Sequence, residues 1–195
     1  MKKRILTLLF VSIFALSSVF ASVPRDRSEV NALDRAFIHP YNKTLDKAAT
    51  LTDLAFFTSP AVLAMNMDIH ESFKIGMMYA ETLGAAFLGK EILKCTIERP
   101  RPYLYTDTVD TDEEEWMESF PSGHTTGAFA VASFTSYVFS QYYPDSKWKV
   151  PVALLSYGIA ATEGLIRIQS GCHFPTDVLM GAALGTAIGI GIPML

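Results

Sequence analysis

Cysteine is scarce in this chain, with only Cys95 and Cys172 among 195 residues. There is no CxxC pair and no Cys/His cluster at zinc spacing. That excludes a zinc-organised domain and any disulfide framework beyond one bridge. Positive charge is not in excess either. Sixteen Lys and Arg against 20 Asp and Glu leave a formal net charge of -4, so the basic field of a nucleic-acid-binding surface is absent. Charge of both signs is thin, at 18% of residues, where an average soluble domain carries about 25%. No strand-like alternation, repeat or low-complexity tract occurs. What remains is an all-α chain of a length that suits one domain.

What the chain does have is apolar runs. "MKKRILTLLFVSIFALSSVFA" starts with Lys2, Lys3 and Arg4, continues apolar, and ends in small residues. It has the form of an export signal over residues 1–21, either cleaved before Ser22 or kept as a membrane anchor. Residues 22–195 are then read as a single domain, entered from outside the cytoplasm. Residues 22–50 are polar and mixed in charge, with a short amphipathic helix expected around "SEVNALDRAFI". A short apolar segment covers 54–67, where Ser59 and Pro60 resemble a cap followed by Pro at the first helical position. Longer helices are expected over about 73–93, 125–144, 150–166 and 178–195. Asp68 and Glu71 could form a capping box for the first of these. The 125–144 and 178–195 runs carry no charge and are long enough to cross a bilayer. Gly181, Gly185 and Gly189, four residues apart, would let helices approach closely.

Charge placement supports the membrane reading. Lys2, Lys3, Arg4, Lys74, Lys147 and Lys149 fall on one side, read as inner by the positive-inside rule. Stretches 94–123 and 167–177 then share the outer side. Arg25, Arg27, Arg35, Lys43 and Lys47 run against this pattern. The alternative is a soluble periplasmic bundle with the same helices in its core.

The polar exceptions gather in three places: "KCTIERPRP", "PSGH" and "IRIQSGCHFPTD". In the topology above, all three sit at helix ends on one face. Lys94, Arg101 and Arg167 supply fixed positive charge, and a guanidinium fork matches phosphate oxygens in pairs. Ser122 and Gly123 stand at a helix start, where free N–H groups attract an anion. Of His124 and His173, one can attack phosphorus and the other protonate a leaving oxygen. Asp177, four residues beyond His173, could hold a ring N–H and fix the tautomer.

In their order and spacing these clusters resemble the signature of the type 2 phosphatidic acid phosphatase superfamily: K-x6-RP, then PSGH, then SR-x5-H-x3-D. Lys94, Arg101 and Pro102 fit the first part, Pro121 to His124 the second, and Arg167, His173 and Asp177 the third. The resemblance implies a helical bundle of five to six membrane-spanning or core helices. It implies a phosphatase that needs no metal or other cofactor and works through a phosphohistidine intermediate. His173 would be the nucleophile, Asp177 its orienting partner, and His124 the general acid and then base. Lys94, Arg101, Ser122, Gly123 and Arg167 would bind the phosphoryl oxygens. The substrate would be a phosphorylated lipid at the outer face of the inner membrane. The alternative is a small phosphomonoester handled by a soluble periplasmic acid phosphatase. Vanadium haloperoxidases share this kind of anion site, and a non-catalytic phosphate binder is a further class. The chain departs from the signature at Ile166, where the family has Ser.

Other residues receive plainer readings. Arg99 is a rim or structural residue, with a second phosphate as the other option. His39 and His70 are surface residues, and Met65, Met67, Met77 and Met78 are apolar filler. The 103–120 stretch holds Asp107, Asp110, Asp112, Glu113, Glu114, Glu115 and Glu118 without any Lys or Arg. It is either a solvated loop or an acidic lid over a basic pocket. Cys95 adjoins Lys94 and Cys172 adjoins His173, so a bridge is conceivable if the pocket unites them.

Overall fold

The computed structural model describes residues 25–64, 67–107 and 116–195. The expected export signal at 1–21 and the acidic residues 110–115 lie outside them. Among the described residues the regular structure is helical. In chain order it runs α1 (Ala32–Arg35), α2 (Lys43–Phe57), α3 (Ala61–Ala64), α4 (Ile69–Thr96), α5 (Gly123–Tyr142), α6 (Lys149–Gln169) and α7 (Pro175–Met194). Single 3-10 turns occupy Arg27–Glu29 and Pro102–Tyr105, and one isolated parallel bridge pairs Arg99 with Glu118.

Local chemistry sets most of the helix starts. Asn42 accepts hydrogen bonds from the N–H groups of Thr44 and Leu45 and so opens α2. Asp68 does the same for α4, accepting from His70 and Glu71 at 2.8 and 3.0 Å. The reciprocal half of the expected capping box is replaced. The Glu71 carboxylate instead accepts the Tyr142 hydroxyl at 2.6 Å, tying α4 to the far end of α5. Pro175 stands in the first turn of α7, where its missing N–H costs nothing. The short α3 begins at Ala61, after a turn in which Ser59 N–H bonds to Phe56 O.

The centre of the bundle is α5. Thr125, Thr126, Ala128, Ala130, Val131, Ala132, Ser133 and Phe134 are all buried, from every side of the helix. Its lack of charge follows from that enclosure by α2, α4, α6 and α7. By length and composition, α6 and α7 are the described helices apolar enough to cross a membrane, and most of each faces outward. Leu154, Leu155, Leu165 and Leu179 are exposed on them, as are Phe73, Phe87, Leu88 and Ile92 on α4. An outward apolar belt of this extent is unusual for a chain surrounded by water.

The glycine stripe of α7 lies directly on α5. A Cβ at Gly181 would stand 2.7 Å from the Ser122 carbonyl oxygen. At Gly185 and Gly189 it would collide with the carbonyl oxygens of Thr126 and Ala130. The two backbones therefore touch along three turns. That contact fixes where the α5 and α7 N-termini lie relative to each other, and both carry signature residues. A side chain at the middle contact should cost about 1–3 kcal/mol of overpacking. Gly185→Ala is expected to lower the unfolding midpoint in mild detergent by roughly 2–12 °C. Gly191→Ala, with nothing within 4 Å, should leave it unchanged or slightly higher, as thermal unfolding will show.

Candidate active site

The three polar clusters meet at one end of the bundle. Lys94 closes α4, Ser122 and His124 open α5, Arg167 lies in the last turn of α6, and His173 and Asp177 flank the start of α7. Lys94, Arg101, Gly123, His124, Arg167 and His173 line a single cavity of about 700 Å³. Two connections bring them there. Arg101 N–H bonds to Trp116 O at 3.0 Å and Ser119 N–H to Arg99 O at 3.0 Å, so the segment after α4 runs beside the segment before α5. The turn between Arg167 and His173 depends on Gly171, whose φ is 75°. A Cβ there would also meet the backbone oxygens of His39 and Pro40 at 2.5 and 2.7 Å, so glycine is required both for conformation and for space.

The cations are buried, and Arg167 and Lys94 have anions beside them. Arg101 and Arg167 are 3% and 2% exposed. Arg167 is paired with Asp46 of α2, which also accepts the Tyr41 hydroxyl at 3.0 Å. Burial alone would raise the Asp46 pKa, but the Arg167 guanidinium outweighs it and holds the carboxyl below its usual range. Lys94 Nζ donates to Glu118 at 3.2 Å. So one residue of the acidic stretch sits directly on a cation of the pocket.

His173 is buried and its orientation is fixed by backbone. Nδ1 lies 2.7 Å from the Ser119 carbonyl oxygen, which requires it to carry the proton and leaves the Nε2 lone pair available. Burial, with Arg167 and Arg101 adding positive potential, holds the imidazole well below its ordinary pKa. Asp177 does not take the ring N–H directly, as the four-residue spacing led us to expect. Its nearest oxygen is 4.0 Å from Nδ1. That oxygen is occupied by the Ser119 hydroxyl at 2.6 Å and the Phe174 N–H at 2.8 Å. Ser119 therefore stands between them, its carbonyl on His173 and its hydroxyl on Asp177. His124 faces the cavity from the first turn of α5, with Nε2 3.4 Å from the Thr50 hydroxyl. Ser122 is buried, and its Oγ lies 2.8 Å from that of Thr125 and accepts from the Thr125 N–H at 3.4 Å.

Several lining residues escaped the sequence reading. Asp46, Thr50, Asp53 and Phe57 form one face of α2 toward the cavity, at spacings of four, three and four. That period was legible, but the face mixes acids with an aromatic and carries no motif. Lys90, one turn before Lys94, also lines the cavity and pairs with Glu91. Leu83, Ala86 and Phe87 of α4 form an apolar wall beside the cationic one. Arg99 is absent from the lining, since its donors are spent on Asp34, Thr176 and Asp177. Cys95 and Cys172 are unbridged, one exposed and the other buried. Among the described residues, no group of three or more His, Cys, Asp and Glu is placed to hold a metal ion.

The arrangement fits a phosphate or a phosphate-like oxyanion. Hydrogen bonds to charged groups contribute about 1.5–3 kcal/mol each. Arg101→Ala should therefore weaken binding of inorganic phosphate or orthovanadate by roughly 10- to 100-fold. Titration calorimetry on the purified protein will check this, with Arg99→Lys, outside the cavity, expected to bind within about threefold of the parent.

Comparison with known proteins agrees with this geometry. Phosphatidylglycerophosphatase B of Bacillus subtilis is 36% identical over 111 residues, which is 56% of this chain and 52% of that protein. Lipid A 4'-phosphatase of Porphyromonas gingivalis is 32% identical over 123 residues, 60% of this chain and 48% of that one. The chain thus spans about half the length of these curated relatives. The crystal structure of a transmembrane PAP2 type phosphatidylglycerolphosphate phosphatase from Bacillus subtilis superposes with a TM-score of 0.59. It covers 100% of this chain and 96% of the other at 23% identity, a likeness of fold. The sequence profile of the PAP2 superfamily matches residues 75–194, the stretch that holds every signature residue, and the chain belongs to that superfamily.

Proposed function

We propose that this protein is a phosphatase that removes phosphate from a lipid through a phosphohistidine intermediate. The observation that carries the reading is the single cavity. Lys94, Arg101, Arg167 and both histidines line one part, and Phe57, Leu83, Ala86 and Phe87 line another. A phosphate with an apolar chain matches both walls. The named activities of the relatives, on phosphatidylglycerophosphate and lipid A, lie in the same chemical class.

The steps follow from the groups present. His173 Nε2 attacks phosphorus while Nδ1–H stays on the Ser119 carbonyl, so the ring keeps one tautomer throughout. The P–O bond to the lipid breaks as the P–N bond forms. His124 gives its proton to the departing lipid oxygen, then takes one from water, which attacks the phosphohistidine and releases phosphate and His173. Lys94, Arg101 and Arg167, with the N–H group at Gly123, stabilise the charge on the equatorial oxygens, while the Ser122 N–H is spent on the Asp177 carbonyl oxygen at 3.1 Å. Asp46 and Glu118 must yield Arg167 and Lys94 to the incoming phosphate. This chemistry calls for no metal.

The same reading sets α4 to α7 across a membrane. The outward apolar residues of α4, α6 and α7 support this, as do Lys147 and Lys149 at the end opposite the cavity. By the positive-inside rule the cavity faces the periplasm.

Phosphate release in mild detergent with EDTA present tests the proposal. The panel should include phosphatidic acid, phosphatidylglycerophosphate, an isoprenyl diphosphate, phosphorylated lipid A and a water-soluble phosphomonoester. Lipid phosphates are expected to turn over, with His173→Ala abolishing release and His124→Ala lowering kcat by about 10²- to 10⁴-fold. A preference for the soluble ester, with release from membranes by carbonate alone, would overturn the lipid and membrane parts. Inactivity across the panel would overturn the whole.

A further inference from the structure

Arg99 occupies a variable position of the first signature and lies outside the cavity, yet it is among the most fully engaged cations described. Nη1 donates to Asp177 Oδ1 and, at 2.7 Å, to the Thr176 hydroxyl. Nη2 donates to Asp34 Oδ2 at 2.6 Å. Its guanidinium also lies over the Phe174 ring, 4.5 Å from the centroid. Asp34 itself is fully buried. It accepts the Thr176 N–H at 3.1 Å and the Thr176 hydroxyl at 2.6 Å, so a residue of α1 caps the first turn of α7 from outside. Burial would raise the Asp34 pKa, but the bonds from Thr176, Arg99 and Asn31 outweigh it and hold the carboxyl ionised.

Asp177 is consequently held at both oxygens. Oδ1 takes Arg99, and Oδ2 takes the Ser119 hydroxyl and the Phe174 N–H. The Ser119 carbonyl then receives His173 Nδ1. We propose that Arg99 and Asp34 are positioning residues for the reaction, which hold Asp177 and, through Ser119, aim the His173 ring. Asp34 lies outside residues 75–194, the part of the chain that the superfamily profile matches. Part of the machinery is therefore supplied by the segment that precedes the matched region. The inference rests on His173 as the nucleophile.

A double-mutant cycle with a direct probe of the histidine separates positioning from general stability. Arg99→Ala should lower kcat by about 10- to 100-fold, with KM within about threefold of the parent. Arg99→Lys should recover only part, because one ammonium cannot serve two carboxylates as a planar fork does. Asp34→Asn should fall between them. In an Asp177→Asn background, Arg99→Ala should cost little further, since both changes break one chain of contacts. Independently of turnover, ¹⁵N-histidine NMR of the detergent-solubilised protein should show the hydrogen-bonded Nδ1–H of His173, identified by its loss in His173→Ala. That signal should shift or vanish in Arg99→Ala and persist in Arg99→Lys.

Additive losses in the cycle, or an unmoved Nδ1–H signal in folded Arg99→Ala, would overturn the proposal. If Arg99→Ala does not fold, Asp34→Asn carries the same two readouts, and additive losses or an unmoved Nδ1–H signal in it would overturn the proposal. If the parent releases no phosphate from any substrate, the phosphatase reading fails, and the NMR signal alone decides whether Arg99 orients the ring.

Discussion

A cation buried away from water needs an anion or a set of acceptors close by, and that requirement organises the cavity end of this protein. Phosphate chemistry calls for several positive groups in a small enclosed space. The fold sets a carboxylate against two of them, Asp46 on Arg167 and Glu118 on Lys94, and sets Asp34 with Asp177 on Arg99 just outside the cavity. The carboxylates come from α1, α2, the segment before α5 and the start of α7. The cationic pocket is thus complete only with the N-terminal helices packed on the bundle. The two kinds of pair differ in place. Asp46 and Glu118 pair with cations that line the cavity, whereas Arg99 lies outside it.

Backbone contact provides the second constraint. With α7 resting on α5 through three glycines, the α5 N-terminus and the turn before α7 cannot drift apart. Ser119 spans that gap, joined to His173 through its carbonyl and to Asp177 through its hydroxyl. Buried hydrogen-bond chains of this kind favour one arrangement strongly, since any broken member leaves a polar group unpaired. Ser119 directly precedes the Phe-Pro-Ser-Gly-His run, so the residue that links His173 to Asp177 stands just outside the motif that would draw attention.

The long helices and the pocket's cations were legible in the sequence because both leave a strong local mark. Uncharged runs announced α5 and α7, and the spacing of Lys94, Arg101, His124, Arg167 and His173 announced their meeting. The contributions of Asp34, Asp46 and Ser119 left no comparable trace. Each is a common polar residue whose role depends on a partner 54 to 142 positions away. The helix α2 shows the same limit. Its cavity face is split in the sequence, Asp46 and Thr50 falling in the polar 22–50 stretch and Phe57 in the short apolar segment 54–67, since an amphipathic helix turned toward a charged site lacks an apolar stripe. Asp177 shows the reverse error: a spacing of four suggested a direct bond to His173, and the structure interposes a serine.

The position of Asp34 and Asp46 bears on how this architecture can be cut and inherited. A fragment beginning at residue 75 would retain all the signature residues and the whole α5–α7 contact. It would leave the buried Arg167 without Asp46, and Arg99 with Asp177 and Thr176 but without Asp34. The signature is therefore not a portable module. Any rearrangement that exchanges the N-terminal helices must bring its own pair of acids to the same two points, or the motif persists as text with its charges unbalanced.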